Sequence, residues 1–221
     1  MMAFSKNTKY IVPVLLIGVF LGIYFYKKNE KKPLRILPTY GPKTYGKDKD
    51  TIYHTIQPFQ FTNQFNETVT EKTVAGKIYV VDYFFTTCRS ICPKMSSQME
   101  RVQEAFKNDS NVLILSHTVD PEEDSVEVLA AYAQKHKAVK NKWHFLTGNK
   151  PALYEQARKS YLLDAEEGNG GEEDFIHTDK FALVDGNRQI RGYYSGIDSA
   201  EVDQLIVDIK TLLAEKAWRD K

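Results

Sequence analysis

Lys77-Ile78-Tyr79-Val80-Val81-Asp82-Tyr83-Phe84-Phe85-Thr86-Thr87-Cys88-Arg89-Ser90-Ile91-Cys92-Pro93 is the stretch whose reading decides the fold. Its first half is a nearly unbroken apolar run, rich in valine and aromatic residues, as expected of a strand buried on both faces. Pro93 suits the first turn of a helix, where its missing N–H removes no bond. Beyond it Met95, Met99, Val102 and Phe106 recur at helical spacing. A strand therefore feeds directly into a helix, and both cysteines of the chain, Cys88 and Cys92, stand at the junction.

Outward from this junction the pattern alternates. Upstream, Phe59–Thr62 and Glu67–Thr70 read as a small hairpin with Asn63 and Asn66 in its turn. Downstream, residues 111–119 read as a second buried strand. Asp124 and Glu127 form a capping-box pattern for a helix carrying Val128, Leu129 and Tyr132. Trp143–Leu146 reads as a short strand, and Pro151 opens a helix to about Tyr161. An acidic, glycine-rich loop spans Asp164–Asp174, a solvated surface by composition. Strands Phe181–Val184 and Gln189–Tyr194 flank the turn Asp185-Gly186-Asn187. Asp198 caps a last helix whose apolar face is Val202, Leu205, Ile206, Ile209, Leu212 and Leu213. The order β-β-β-α-β-α-β-α-β-β-α predicts an α/β fold with a central mixed sheet flanked by helices. A cysteine pair between buried strand and helix makes the expected architecture thioredoxin-like, with an N-terminal hairpin.

The 221 residues, 42% hydrophobic, suit one medium domain plus extras. Charge is asymmetric: residues 1–50 carry ten Lys/Arg against three Asp/Glu, and the remainder twenty against twenty-six. The folded part is mildly acidic, which argues against a nucleic-acid partner. The uncharged run 10–26 would span ~26 Å as a helix, close to the ~30 Å hydrocarbon core, with flanking lysines to snorkel and tyrosines for the interface. The organisation expected is a short segment 1–9, a single transmembrane anchor 10–26, a basic Pro/Gly-containing tether 27–55, and the domain 56–217. Lysines 27, 28, 31 and 32 follow the run, so the positive-inside rule alone would leave the domain in the cytoplasm.

A disulfide between Cys88 and Cys92 would close a five-residue loop worth only ~2 kcal/mol, so a structural staple is the weaker reading. A helix amino terminus lowers thiol pKa values, and two thiolates are soft ligands suited to Cu(I) or zinc. A third ligand would be a histidine. His54 and His136 read as solvated, and His117 and His144 as satisfied structural residues of strands. His177 differs: it precedes strand Phe181–Val184, in the loop that faces the cysteine pair in a thioredoxin-like fold. All eight prolines lie at or before Pro151, so the cis-proline that thioredoxin-type oxidoreductases carry there is missing. Met95 and Met99 read as core, and Asp120 and Asp124 as loop and cap residues.

Several stretches together resemble the Sco/SenC family, copper chaperones that help assemble the binuclear copper centre of cytochrome c oxidase. They are Thr86–Pro93, Val119-Asp120-Pro121-Glu122-Glu123-Asp124, Trp143–Gly148, and His177 ahead of Leu183-Val184-Asp185-Gly186. The resemblance runs from about Phe59 to the end of the last helix. It implies a copper ion, Cu(I) or Cu(II), one per chain, with Cys88, Cys92 and His177 as ligands. It implies a copper-accepting partner such as the copper-bearing oxidase subunit. It also implies a single-pass location in the cell inner membrane, with the domain on the periplasmic side. The chain departs from the family pattern at Arg89 and Ser90, where Pro and Asp are usual, and at Phe84-Phe85-Thr86-Thr87, where Gly-Phe-Thr-His is frequent. The alternative function is a thiol–disulfide oxidoreductase that reduces the cysteines of a copper-accepting protein, with Cys88 and Cys92 as the catalytic pair. A peroxiredoxin is excluded, because Val81 and Phe85 stand where its Pro and Thr would be.

Overall fold

A computed structural model describes residues 16, 19–21, 35–46, 50–163 and 178–219. Among the described residues from 35 onward, nine strands and four α-helices follow in the expected order, with one extra hairpin at the start. The strands are β1 (Lys43–Tyr45), β2 (Thr51–Tyr53), β3 (Gln60–Asn63), β4 (Thr68–Thr70), β5 (Ile78–Phe84), β6 (Val112–Thr118), β7 (Trp143–Thr147), β8 (Lys180–Val184) and β9 (Ile190–Ser195). The helices are α1 (Cys92–Ala105), α2 (Val126–Lys135), α3 (Lys150–Glu155) and α4 (Ser199–Arg219). α3 widens into a π-helical turn, Gln156–Ser160, closed by Tyr161 N–H donating to the Gln156 carbonyl at 2.9 Å.

Seven strands form one mixed sheet in the order β4-β3-β7-β6-β5-β8-β9. β5, β6 and β7 are parallel, and the outer strands are antiparallel to their neighbours. All seven residues of β5 and of β6 are buried, as their continuous apolar patterns require. Side chains alternate between two faces. Ile78, Val80 and Phe84 pack with α1, α2 and α4, while Tyr79, Val81 and Tyr83 pack with Phe59, Phe61, Leu153 and Tyr161. Met95 and Met99 are core residues of the first face, not accessible sulfur donors.

Several local expectations need correction. The cap of α2 is Ser125, whose hydroxyl accepts from Val128 N–H, not Asp124. His136 is buried, and its Nδ1 donates to Glu100 at 2.7 Å. His54 is half-buried, and its Nε2 donates to the Ser160 carbonyl at 2.7 Å. Part of the stretch read as tether is packed. Leu37 is buried, Arg191 donates to the carbonyls of Leu37 (2.6 Å) and Pro38 (3.0 Å), and the same guanidinium pairs with Asp185 (2.7 Å) and Glu215 (3.3 Å). A buried guanidinium is tolerated only with such partners, and here two of them are main-chain oxygens of the incoming segment. Among the described residues no helix is long and apolar enough to cross a membrane. Most of the run 10–26 lies outside the described residues; within it Leu16 and Val19–Leu21 are helical and exposed.

Candidate metal and thiol site

β5 ends at Phe84, and Cys88 N–H donates back to the Phe85 carbonyl at 3.3 Å to form the turn that carries the first thiol. Cys92 is the first residue of α1, followed by Pro93, whose missing N–H is one of the first-turn donors that have no partner within the helix. The first turn of α1 carries no acidic residue and Ile91 supplies no side-chain cap, so no side chain of the helix's own first turn offsets the positive end of its dipole. Both cysteines are free thiols; Cys88 is half-buried and Cys92 buried.

The two thiols differ in acidity. Burial works against ionising Cys88, but hydrogen bonds from the Cys92 and Ser90 side chains, with their backbone N–H groups, outweigh it and bring Cys88 down to about 7. The Ser90 hydroxyl lies 3.5 Å from Cys88 Sγ. Burial first, then the hydrogen bond it gives Cys88, pushes Cys92 up to about 12. The pair is therefore one half-buried incipient thiolate backed by one buried thiol.

Two buried carboxylates stand near this junction, Asp82 close enough to act on Cys92 and Asp124 at the root of the cysteine loop. Asp82 is on the α1-facing side of β5, accepts from Ser116 Oγ, and is raised by desolvation to about 7. Trp143 Nε1 donates to the same serine oxygen at 2.8 Å, and the charge on Asp82 adds to the rise at Cys92. Asp124 is fully buried and reaches back to the loop before the cysteines. It accepts from Thr86 N–H (3.3 Å), from the Thr86 hydroxyl, and from the Thr118 hydroxyl at the end of β6. This carboxylate ties the root of the cysteine loop to the neighbouring strand. Asp120 is a loop residue whose N–H donates to Thr118 Oγ1 at 2.9 Å.

The remaining histidines stand apart. His117 is fully buried on the other face of the sheet, stacked on Tyr83 at 4.9 Å; its nitrogens meet no hydrogen-bond partner among the described residues, and burial holds it neutral down to about 3. His144 accepts from Asn63 Nδ2 at 3.2 Å, a satisfied structural residue as expected. His177 lies outside the described residues. Its described neighbours are informative: β8 pairs antiparallel to β5 with Val81 opposite Ala182. Continued two residues, that register sets Lys180, the start of β8, opposite Tyr83. β8 thus begins at the end of β5 from which the cysteine loop departs. Among the described residues no cluster of three or more His, Cys, Asp and Glu side chains forms a metal cage.

Asp82 is the residue that sequence reading passed over, and Asp124 the one it took for a helix cap. A lone carboxylate inside an apolar strand was the available signal for Asp82, since buried acids are rare unless they are held for a purpose. Nothing local distinguished Asp124 from a helix cap.

A mixed sheet with a cysteine pair between its central parallel strand and the following helix defines a thioredoxin-like thiol protein. The SCO1/SenC family model matches residues 47–214, and the chain belongs to that family. It is 32% identical over 165 residues to the SCO1 protein homolog of Bacillus subtilis, covering 74% of this chain and 85% of that protein. A SCO1/SenC family lipoprotein from Bacillus anthracis superimposes with a TM-score of 0.64 at 31% identity, over 72% of this chain and 95% of that one. BsSco, described as a member of the Sco family of cytochrome c oxidase assembly proteins with a disulfide switch, gives 0.62 at 30% identity, over 72% and 93%.

Proposed function

We propose that this protein is a membrane-anchored copper-binding chaperone that aids assembly of the binuclear copper centre of cytochrome c oxidase. Copper is its cargo, held by Cys88, Cys92 and His177, with the domain on the extracytoplasmic side of the cell inner membrane. The observation that carries the reading is the thiol pair itself: a half-exposed Cys88 brought to about 7, beside Cys92 at a helix amino terminus. Soft thiolates select Cu(I) over the harder ions. Cys88 offers the entry ligand, already ionised in part at neutral pH. Cys92 must surrender its proton as the ion arrives, so binding releases protons and weakens in acid. The start of β8 beside the cysteine loop supports the assignment of His177, three residues ahead of Lys180. A Stutzerimonas stutzeri relative, 25% identical over 142 residues, is named a putative copper-binding protein, and the Bacillus anthracis relative is a lipoprotein. These support copper as the cargo and a location at a membrane, for which residues 10–26 would be this chain's anchor.

The acidity difference favours a second reading, a thiol–disulfide reductase acting on a copper-accepting protein. Cys88 thiolate attacks one sulfur of the client disulfide and the other leaves as a thiolate. Cys92, once deprotonated, then attacks Cys88 and releases the client's second thiol. The client gains two electrons and the pair becomes a disulfide. Competition of the reduced full chain with a Cu(I) chelator tests the first reading. One tightly held Cu(I) per chain, weakened in Cys88→Ala, Cys92→Ala and His177→Ala alike, is expected. Binding that no cysteine change weakens would transfer the pair to the reductase.

A further inference from the structure

We propose that the β1–β2 hairpin is a lipid-facing element that rests on an anionic bilayer surface. It forms a two-stranded sheet of its own, separate from the seven-stranded one, and all six of its strand residues are exposed. Tyr45 is 76% exposed, Ile52 55% and Tyr53 39%, so these side chains have no core of this domain to enter. A lone two-stranded hairpin is marginal in water without a surface to cover it.

The hairpin's roots are nevertheless fixed. Tyr40 N–H donates to the Ile190 carbonyl at 2.9 Å and His54 N–H to the Pro42 carbonyl at 3.1 Å. Gly41 has φ +104°, and a Cβ there would meet His54 Cβ at 2.7 Å, so the crossing of the two root segments depends on glycine. A firm base carrying strands whose tyrosine and isoleucine side chains are uncovered is the form of a docking element.

Chemistry selects the occupant. The register puts Lys43 beside Tyr53 and Tyr45 beside Thr51 on one face, with Lys43 Nζ 5.3 Å from the Tyr53 ring centre. Tyrosine rings interleaved with lysine are the side chains of the membrane–water interface, where the ring sits at headgroup level and the ammonium meets phosphate. Residues 27–53 carry eight Lys/Arg against three Asp/Glu, while the rest of the domain is acidic. Five of those eight, Lys27, Lys28, Lys31, Lys32 and Arg35, lie in the segment that leads from the apolar run to the hairpin, and residues 43–53 add three Lys against two Asp, so the part of the protein drawn to anionic lipid is the one that carries the hairpin. Residues 27–37, between the apolar run and the buried Leu37, reach at most about 40 Å when extended, which keeps the hairpin within range of a bilayer. The proposal rests on the reading of residues 10–26 as an anchor.

The test is amide hydrogen exchange of the full chain in nanodiscs, either of phosphatidylcholine alone or with phosphatidylglycerol added. Peptides over 40–54 are compared with β6 as reference. Exchange over the hairpin is expected to slow several-fold on the anionic discs, to recover in high salt, and to stay fast in a Lys43→Glu/Tyr45→Ser/Tyr53→Ser variant, whose three changes fall on one face. Equal exchange on both discs overturns the proposal, as does protection that arises only when a copper-accepting protein is added. Failure of the chain to co-migrate with either disc overturns the anchor reading, and the proposal with it. That result is scored separately from exchange.

Discussion

Cys88 and Cys92 are chemically unequal although they are four residues apart, and the difference comes from position rather than residue type. Cys88 sits at the turn, half-open, with Ser90 and Cys92 as donors; Cys92 is buried as the first residue of α1. An arriving soft ion or disulfide therefore meets Cys88 first. Iodoacetamide trapping of the reduced chain, read by mass spectrometry, should show Cys88 alkylation rising through about pH 7. Cys92 should stay nearly inert up to far higher pH. A single profile centred near the ordinary thiol value for both would remove the asymmetry. The pair and its spacing were legible in the sequence. Its polarity was not, because burial and hydrogen bonding are properties of the folded loop.

At the scale of elements, the cysteine loop is held by contacts from outside it. Asp124 gathers Thr86 of the loop and Thr118 of β6. Asp124→Asn keeps the shape but removes one acceptor facing two hydroxyl donors and an N–H. Leaving a buried donor unsatisfied costs about 1–3 kcal/mol, so urea unfolding should show a loss of that order. The Cys88 alkylation profile should move as well, because the loop root is no longer fixed. A stability loss with an unmoved profile would make Asp124 a packing residue only. The strands and helices themselves were readable from periodicity, down to the β8–β9 turn. Asp124 was misread as a cap because its partner Thr86 lies 38 positions earlier, a contact no local window contains. The buried clamp of Arg191 on Leu37 and Pro38 was hidden for the same reason, and composition alone made residues 37–53 look like tether.

Across the whole molecule, two buried groups on opposite faces of the sheet oppose each other in acid. Asp82 is raised from 3.8 to about 7, so between those values the folded state holds a proton the unfolded chain lacks, and its contribution falls as pH rises. His117 is lowered from 6.5 to about 3, so in that window the unfolded chain binds the proton, and its contribution is lost as pH falls. The two slopes nearly cancel between about pH 4 and 6.5. Asp82→Asn should stabilise the fold at pH 7 by up to a few kcal/mol, at about 1.4 kcal/mol per pKa unit, and should expose the His117 slope as a steady loss of stability below pH 6.5. Denaturant midpoints across pH 4–8 for both chains check this; parallel curves would contradict it.

The account's central claim is a copper site made of Cys88, Cys92 and His177. X-ray absorption at the copper edge of the Cu(I)-loaded, reduced full chain tests it most directly, with His177→Ala alongside. Two sulfur scatterers and one imidazole nitrogen, with the nitrogen lost in the variant and the sulfurs kept, is the predicted result. A first shell without two sulfurs, or one unchanged by His177→Ala, would contradict the site.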